Sequence, residues 1–158
     1  ECESALADLQ KVVKISSLGD LDDAGFEKYG SAIKNEVNYR RARHAVNENQ
    51  RTIKAVTALK NNDLVTFGQL MNQSHDSLDK DYEVTGKELD ALVNAARKVE
   101  GVIGSRMTGA GFGGCTVNLV KKGAVKKFEQ EVEAEYEKEI GYKPSFYDVS
   151  IGSGPKEF

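Results

Sequence analysis

Hydrophobic periodicity changes once along this chain, at Gly101, and that change limits the fold more than any other feature. Upstream, apolar residues recur every three or four positions, the spacing of one helix face. Cys2, Leu6, Leu9 and Val13 predict a first amphipathic helix with Cys2 on its buried side. Gly19 and Asp20 interrupt the pattern. A second helix is expected from about Asp23 to Val37, burying Phe26, Ile33 and Val37. The stripe Tyr39, Ala42, Val46, Ile53 and Val56 carries a longer helix to Leu59, and Asn61-Asn62 ends it. Asp63 can cap a further helix bearing Leu64, Phe67, Leu70, Met71 and Leu78. Thr85 and Glu88 have capping-box spacing ahead of Leu89, Leu92, Val93 and Ala96. The two prolines, Pro144 and Pro155, lie beyond all of these helices.

Downstream of Gly101 the pattern is that of strands. Val102 to Met107 reads as one, and Cys115 to Val120 alternates, placing Cys115, Val117 and Leu119 on one face. A helix follows with Val125, Phe128, Val132, Tyr136 and Ile140 on its buried stripe. Tyr147, Val149 and Ile151 then alternate as a last strand. The fold class is α+β: an N-terminal helical run, residues 1–85, then an α-β-β-α-β unit, residues 86–158. A ferredoxin-like unit is β-α-β-β-α-β, so this one is a ferredoxin-like sheet missing its first strand. No β-like segment before residue 86 supplies it. The sheet has three strands, or the missing strand lies upstream of Glu1.

Composition narrows the function. A chain of 158 residues with 39% apolar content can bury a core, and its net charge of −3 gives no basic footprint. Nucleic acid and membrane are therefore not expected partners. No apolar run is long enough to span a bilayer. Two cysteines and two histidines lack the paired spacing of a zinc site, so no metal site is expected, and reduced thiols fit a cytoplasmic protein.

The chemistry concentrates in glycines. Six of the 15 fall between Gly101 and Gly114, densest in Thr108-Gly109-Ala110-Gly111-Phe112-Gly113-Gly114. As a string, Gly109-x-Gly111-x-x-Gly114 matches the dinucleotide fingerprint, but that motif must open a helix and a strand follows here. A Walker A reading puts Cys115 where the phosphate-binding lysine must stand. What remains is a strand–glycine loop–strand element. Its glycines serve either turn geometry alone or the close approach of another backbone or a ligand.

The string Gly104-Ser105-Arg106-Met107-Thr108-Gly109-Ala110-Gly111-Phe112-Gly113-Gly114-Cys115-Thr116-Val117 resembles the third conserved motif of galactokinases. That family belongs to the superfamily of galactose, homoserine, mevalonate and phosphomevalonate kinases. Arg40-Arg41-Ala42-Arg43-His44-Ala45-Val46 with Glu48-Asn49-Gln50-Arg51 is similar to the family's central helix. The next family block is matched by Leu70-Met71-Asn72-Gln73-Ser74-His75, Asp81-Tyr82-Glu83-Val84 and Glu88-Leu89-Asp90. The resemblance runs from Glu1 to about Val149. One departure is Thr85-Gly86-Lys87, where the family usually has Ser-Cys-Pro; the Thr85 cap is expected to survive it.

The resemblance implies the C-terminal domain, residues 1–158, of a two-domain sugar kinase that uses ATP and Mg to convert galactose to galactose 1-phosphate. Its partner is then the N-terminal kinase domain of the same protein. The family's sugar-holding segment, its phosphate loop and its catalytic aspartate have no counterpart in this sequence. No catalytic residue is therefore assigned here, the fragment is expected to be inactive alone, and neither ATP nor Mg is expected on it. Alternatives are a domain of a catalytically inactive galactokinase-like sugar sensor, a related small-molecule kinase of the superfamily, or a stand-alone binding domain.

In the superfamily the loop, Thr108 to Gly114, faces the cleft between domains. Arg106 and Thr108 share a strand face and either line that cleft or solvate a strand edge. Arg40, Arg41 and Arg43 are expected to form a solvated or salt-bridged helix face. His44 and His75 are expected to be structural, and Cys115 a small core residue. A sheet without its first strand has an open edge, through which the fragment is expected to self-associate unless its own helices cover that edge.

Overall fold

The computed structural model describes residues 1–150 and 152. The change of period at Gly101 separates a run of helices from the part that carries the strands. Helices α1 (Cys2–Leu9), α2 (Asp23–Tyr29), α3 (Glu36–Lys60) and α4 (Leu64–Ser77) come first, followed by a π-helical turn, Leu78–Tyr82. Then come α5 (Lys87–Lys98), β1 (Val102–Thr108), β2 (Cys115–Val120) and α6 (Val125–Ile140). The result is α+β, as the pattern predicts.

Ala5, Leu9, Leu21, Phe26, Ile33, Ala42 and Val46 form the core of the helical part. Apolar residues at helical spacing on three short elements close over one face of α3. Cys2 is half-buried and Val13 lies beyond the end of α1. The helix expected from Asp23 to Val37 is broken in two. Gly30 sits against the Tyr39 ring, 3.1 Å from where a Cβ would stand, and Asn35 starts α3 by accepting the Asn38 N–H at 3.0 Å. Asp63 caps α4 as expected, accepting the Thr66 N–H at 3.0 Å. Ile53 and Val56, on the expected buried stripe of α3, are exposed, while Ala58 farther along it is buried.

The second core joins α5, α6 and the inner ends of the strands through Ala95, Ala96, Val99, Phe128 and Val132. β1 and β2 form an antiparallel pair in which Thr108 faces Cys115 and Met107 faces Thr116. Leu92, Val102, Val120 and Phe146 pack at the margins of this core.

Three expectations change. Residues 143–150 form no strand, and Tyr147 and Val149 are exposed; Ile151, the last residue of the expected strand, lies outside the described residues. The sheet of the described residues is the β1–β2 pair alone, and the segment joins neither strand. Cys115 is exposed, not a core residue: Val120, on the opposite alternation of β2, is the residue that packs on the second core, and Cys115 and the exposed Val117 point the other way. Thr85 is not the cap of α5. Gly86 takes that position with φ of 88°, and the Thr85 hydroxyl is buried near Asp79 at 3.5 Å.

Candidate functional site

Thr108–Cys115 pairing closes the hairpin and leaves Gly109 to Gly114 as the loop. Four residues in it hold positive φ: Gly109 at 81°, Gly111 at 88°, Phe112 at 55° and Gly113 at 88°. Only glycine adopts such a run without strain, and Phe112 carries the cost of one non-glycine residue there.

The glycines do two different things. A Cβ on Gly111 would lie 1.9 Å from the Val84 carbonyl oxygen, and the same oxygen accepts the Phe112 N–H at 2.9 Å. Gly111 therefore lets the loop dock on its own chain. Gly109 and Gly113 have nothing within 4 Å of a Cβ position, and Thr108, Gly109, Ala110, Gly113 and Gly114 are exposed. The Phe112 side chain points outward with 76% of its surface exposed. The loop is thus pinned on one side and open on the other.

Val84 can seat the loop because the turn before it is held firmly. The π-helical turn ends in Glu83, itself at φ of 58°. All three arginines of the Arg40–Arg43 cluster grip this turn. Arg41 donates to the Asp81 carbonyl at 2.6 Å and to the Glu83 carboxylate at 2.7 Å. Arg40 reaches Glu83 at 3.3 Å, and Arg43 pairs with the Asp81 carboxylate. The Arg41 hydrogen bond holds Glu83 below the usual carboxylate range. The cluster is salt-bridged, as expected of it, and apart from Glu1, which Arg41 Nε meets at 2.9 Å, its partners are carboxylates and carbonyls of one turn.

A buried relay supports the same turn from inside. Ser77 Oγ donates to Asp81 Oδ2 at 3.0 Å and lies 3.0 Å from His44 Nδ1. With its proton committed to Asp81, Ser77 accepts from His44, which fixes that imidazole as the Nδ1–H tautomer. Burial pushes the His44 pKa down.

The strand leading into the loop is held by α4. Asn72 Oδ1 accepts the Ser105 N–H at 2.9 Å and His75 Nδ1 accepts the Met107 N–H at 3.2 Å. Arg97 reaches Asn72 Oδ1 at 3.2 Å, the Asn72 carbonyl at 2.7 Å and Asp76 at 2.7 Å. His75 is 4% exposed, and burial, then the Arg97 charge, lowers its pKa. Arg106 is half-buried and its Nε donates to the Met107 carbonyl at 3.0 Å.

The structure brings Thr108 to Gly114 together as one loop, with Arg106 behind it. Sequence reasoning missed Val84, the π-helical turn and the link from His75 to Met107. The string Asp81-Tyr82-Glu83-Val84 was visible, but nothing in it signals a carbonyl that seats a loop. Among the described residues no three His, Cys, Asp or Glu side chains gather to hold a metal ion, and no helix is long and apolar enough to cross a membrane.

The chain is 60% identical over 157 residues to a galactokinase of Clostridium acetobutylicum and 56% identical over 156 residues to one of Staphylococcus saprophyticus. In each case the match covers 99% of this chain and 40% of the relative, so the chain spans well under half the length of these curated relatives. It superimposes with a TM-score of 0.93, at 48% identity, on the crystal structure of Lactococcus lactis galactokinase complexed with galactose, covering 97% of this chain and 39% of that one. Residues 55–138, which hold α4, α5, the hairpin and most of α6, match the family described as GHMP kinases C terminal. By that match, which takes in over half of its residues, this chain belongs to the GHMP kinases C terminal family.

Proposed function

We propose that residues 1–158 are the C-terminal domain of an ATP-dependent galactokinase, with a helical part at 1–85 and the loop-bearing part at 86–158. The observation that carries this reading is near-complete coverage by galactokinases at 48–60% identity, together with a glycine loop that is docked on one side only. The open side, formed by Thr108, Gly109, Ala110, Gly113 and Gly114, faces the cleft shared with the N-terminal domain. Phe112 lies at the mouth of that cleft.

Phosphoryl transfer depends on holding the donor and acceptor in line and spreading the charge that develops. A loop without side chains lets backbone approach within hydrogen-bonding distance of phosphates, or of the loop that holds them. The latch to Val84 keeps that surface from having to order itself when substrate arrives. Arg106 uses Nε on the Met107 carbonyl, and among the described residues its Nη atoms have no hydrogen-bond partner, so it can line the cleft. The groups that hold Mg and activate the sugar hydroxyl are assigned to the N-terminal domain. With ATP and Mg bound across the domain interface, this chain supplies one wall of the site and no reacting group. We place the whole protein in the cytoplasm.

The test compares the longer polypeptide with the 158-residue chain in an assay of ATP-dependent galactose phosphorylation. The longer polypeptide should transfer phosphate and the isolated chain should not. Tight galactose binding by the longer polypeptide with no transfer would instead make it a sugar sensor.

A further inference from the structure

We propose that His75 is a positioning residue for the glycine loop, its Nδ1 standing where a neighbouring strand's carbonyl would stand at the end of β1. As a statement about catalysis this rests on the function proposed above; as a statement about the loop it does not.

The outer edge of β1 has no strand beside it among the described residues. Helix α4 lies there instead, in backbone contact with the strand. A Cβ on Gly68 would stand 2.0 Å from the Ile103 carbonyl oxygen, and one on Gly104 would stand 2.6 Å from the Gly68 Cα. A helix has no free carbonyl to offer a strand edge, yet the outward N–H groups of β1 must find acceptors. Two side chains on the same helix face supply them: Asn72 takes Ser105 and, three residues on, His75 takes Met107.

The two acceptors differ in what they control. Asn72 holds the middle of the strand and is itself braced by Arg97. His75 holds Met107, the last buried residue before the loop; Thr108, next along, is already exposed. The loop therefore has two fixed points, Met107 on His75 and Phe112 on Val84, five residues apart. Release of either changes where Gly109 and Gly113 point.

Histidine at this place also makes the anchor conditional. Nδ1 accepts only while it carries no proton, so the ring is neutral with its proton on Nε2, which lies 3.3 Å from Asp90 Oδ1. The charged groups facing it are Asp90 and Arg97 on α5, Asp76 on α4 and Asp79 in the π-helical turn. Burial and Arg97 resist protonation, and the three carboxylates oppose that. Once the ring is protonated, Nδ1 becomes a donor facing a donor, and the Met107 bond is lost.

The experiment uses the longer polypeptide as wild type, His75→Ala and His75→Asn, since asparagine can offer an oxygen near the Nδ1 position. Amide hydrogen exchange is read at Phe112, whose partner is Val84 and which His75 does not touch, and kcat is read from about pH 5.5 to 8. His75→Ala should speed Phe112 exchange by about tenfold or more and lower kcat with little change in KM, and His75→Asn should restore most of both. Wild-type exchange at Phe112, corrected for intrinsic rate, should rise on acidification, and that of His75→Asn should not. Equal exchange in wild type and His75→Ala overturns the proposal, as does failure of asparagine to restore it in a folded variant. Should the alanine variant not fold, the asparagine variant and the wild-type acid dependence decide it. A wild type that phosphorylates nothing sinks the proposed function while the exchange data still decide the role of His75.

Discussion

At the scale of single residues, neighbouring glycines of one loop have separate duties. Gly111 faces the Val84 carbonyl so closely that any side chain must displace one of them. Replacing it with alanine adds both that clash and a left-handed backbone strain, so a loss of about 2–4 kcal/mol is expected on denaturant unfolding. Gly109 holds a similar φ with open space around it. Gly109→Ala should cost only the strain, roughly 1–2 kcal/mol. Equal losses at the two positions would mean that the Val84 contact does not hold the loop. The glycine string itself was readable from sequence, because no ordinary hairpin turn needs so many. Which glycine meets its own chain and which meets open space was not, since Val84 is 27 positions away in sequence and contributes only a backbone oxygen.

At the scale of elements, hydrophobic period located α6 and both strands, and Asp63 announced α4. It failed where tertiary contacts override the local pattern. Gly30 under Tyr39 and the Asn35 cap split one expected helix in two. The π-helical turn was invisible because Ser77 and Asp81 have ordinary i, i+4 spacing, and only the arginines of α3 show what the turn is for. Arg41 is mostly buried and ties the Asp81 carbonyl, Glu83 and Glu1 together. Arg41→Met should therefore loosen the turn and speed exchange at the Phe112 amide, although Arg41 touches no loop residue. Unchanged Phe112 exchange in a folded Arg41→Met protein would break the chain from α3 to the loop. The buried histidines add a pH dependence with a definite sign. Both pKa values lie below the roughly 6.5 of an exposed imidazole, so the unfolded chain takes up protons first as pH falls. Their neutral burial costs nothing above about pH 6.5 and lowers stability progressively below it, toward the depressed folded values. Urea midpoints that stay flat from about pH 7 down to 5.5 would contradict this.

At the scale of the whole molecule, the described residues leave β2 with an open edge and the segment at 143–150 with no strand partner. One strand inserted beside β2 would give both the open β2 edge and Tyr147–Val149 a neighbour. α4 covers the other edge, so self-association of the isolated 158-residue chain should run through Cys115–Val120. Sedimentation should show it associating where the longer polypeptide does not, and a lysine at Val117, which is exposed on the open face, should weaken the association. A strictly monomeric isolated chain at high concentration would count against this account of the edge. The central claim is that the loop is pinned from behind so that its open side serves phosphoryl transfer. The most direct measurement is kcat per folded molecule of the longer polypeptide carrying Gly113→Ala, where a Cβ meets nothing in this chain. The account predicts a fall of about 10²-fold, in the range seen when one transition-state contact is lost, with a stability change of only about 1–2 kcal/mol. A kcat within about twofold of wild type would show that the open side of the loop has no part in the reaction.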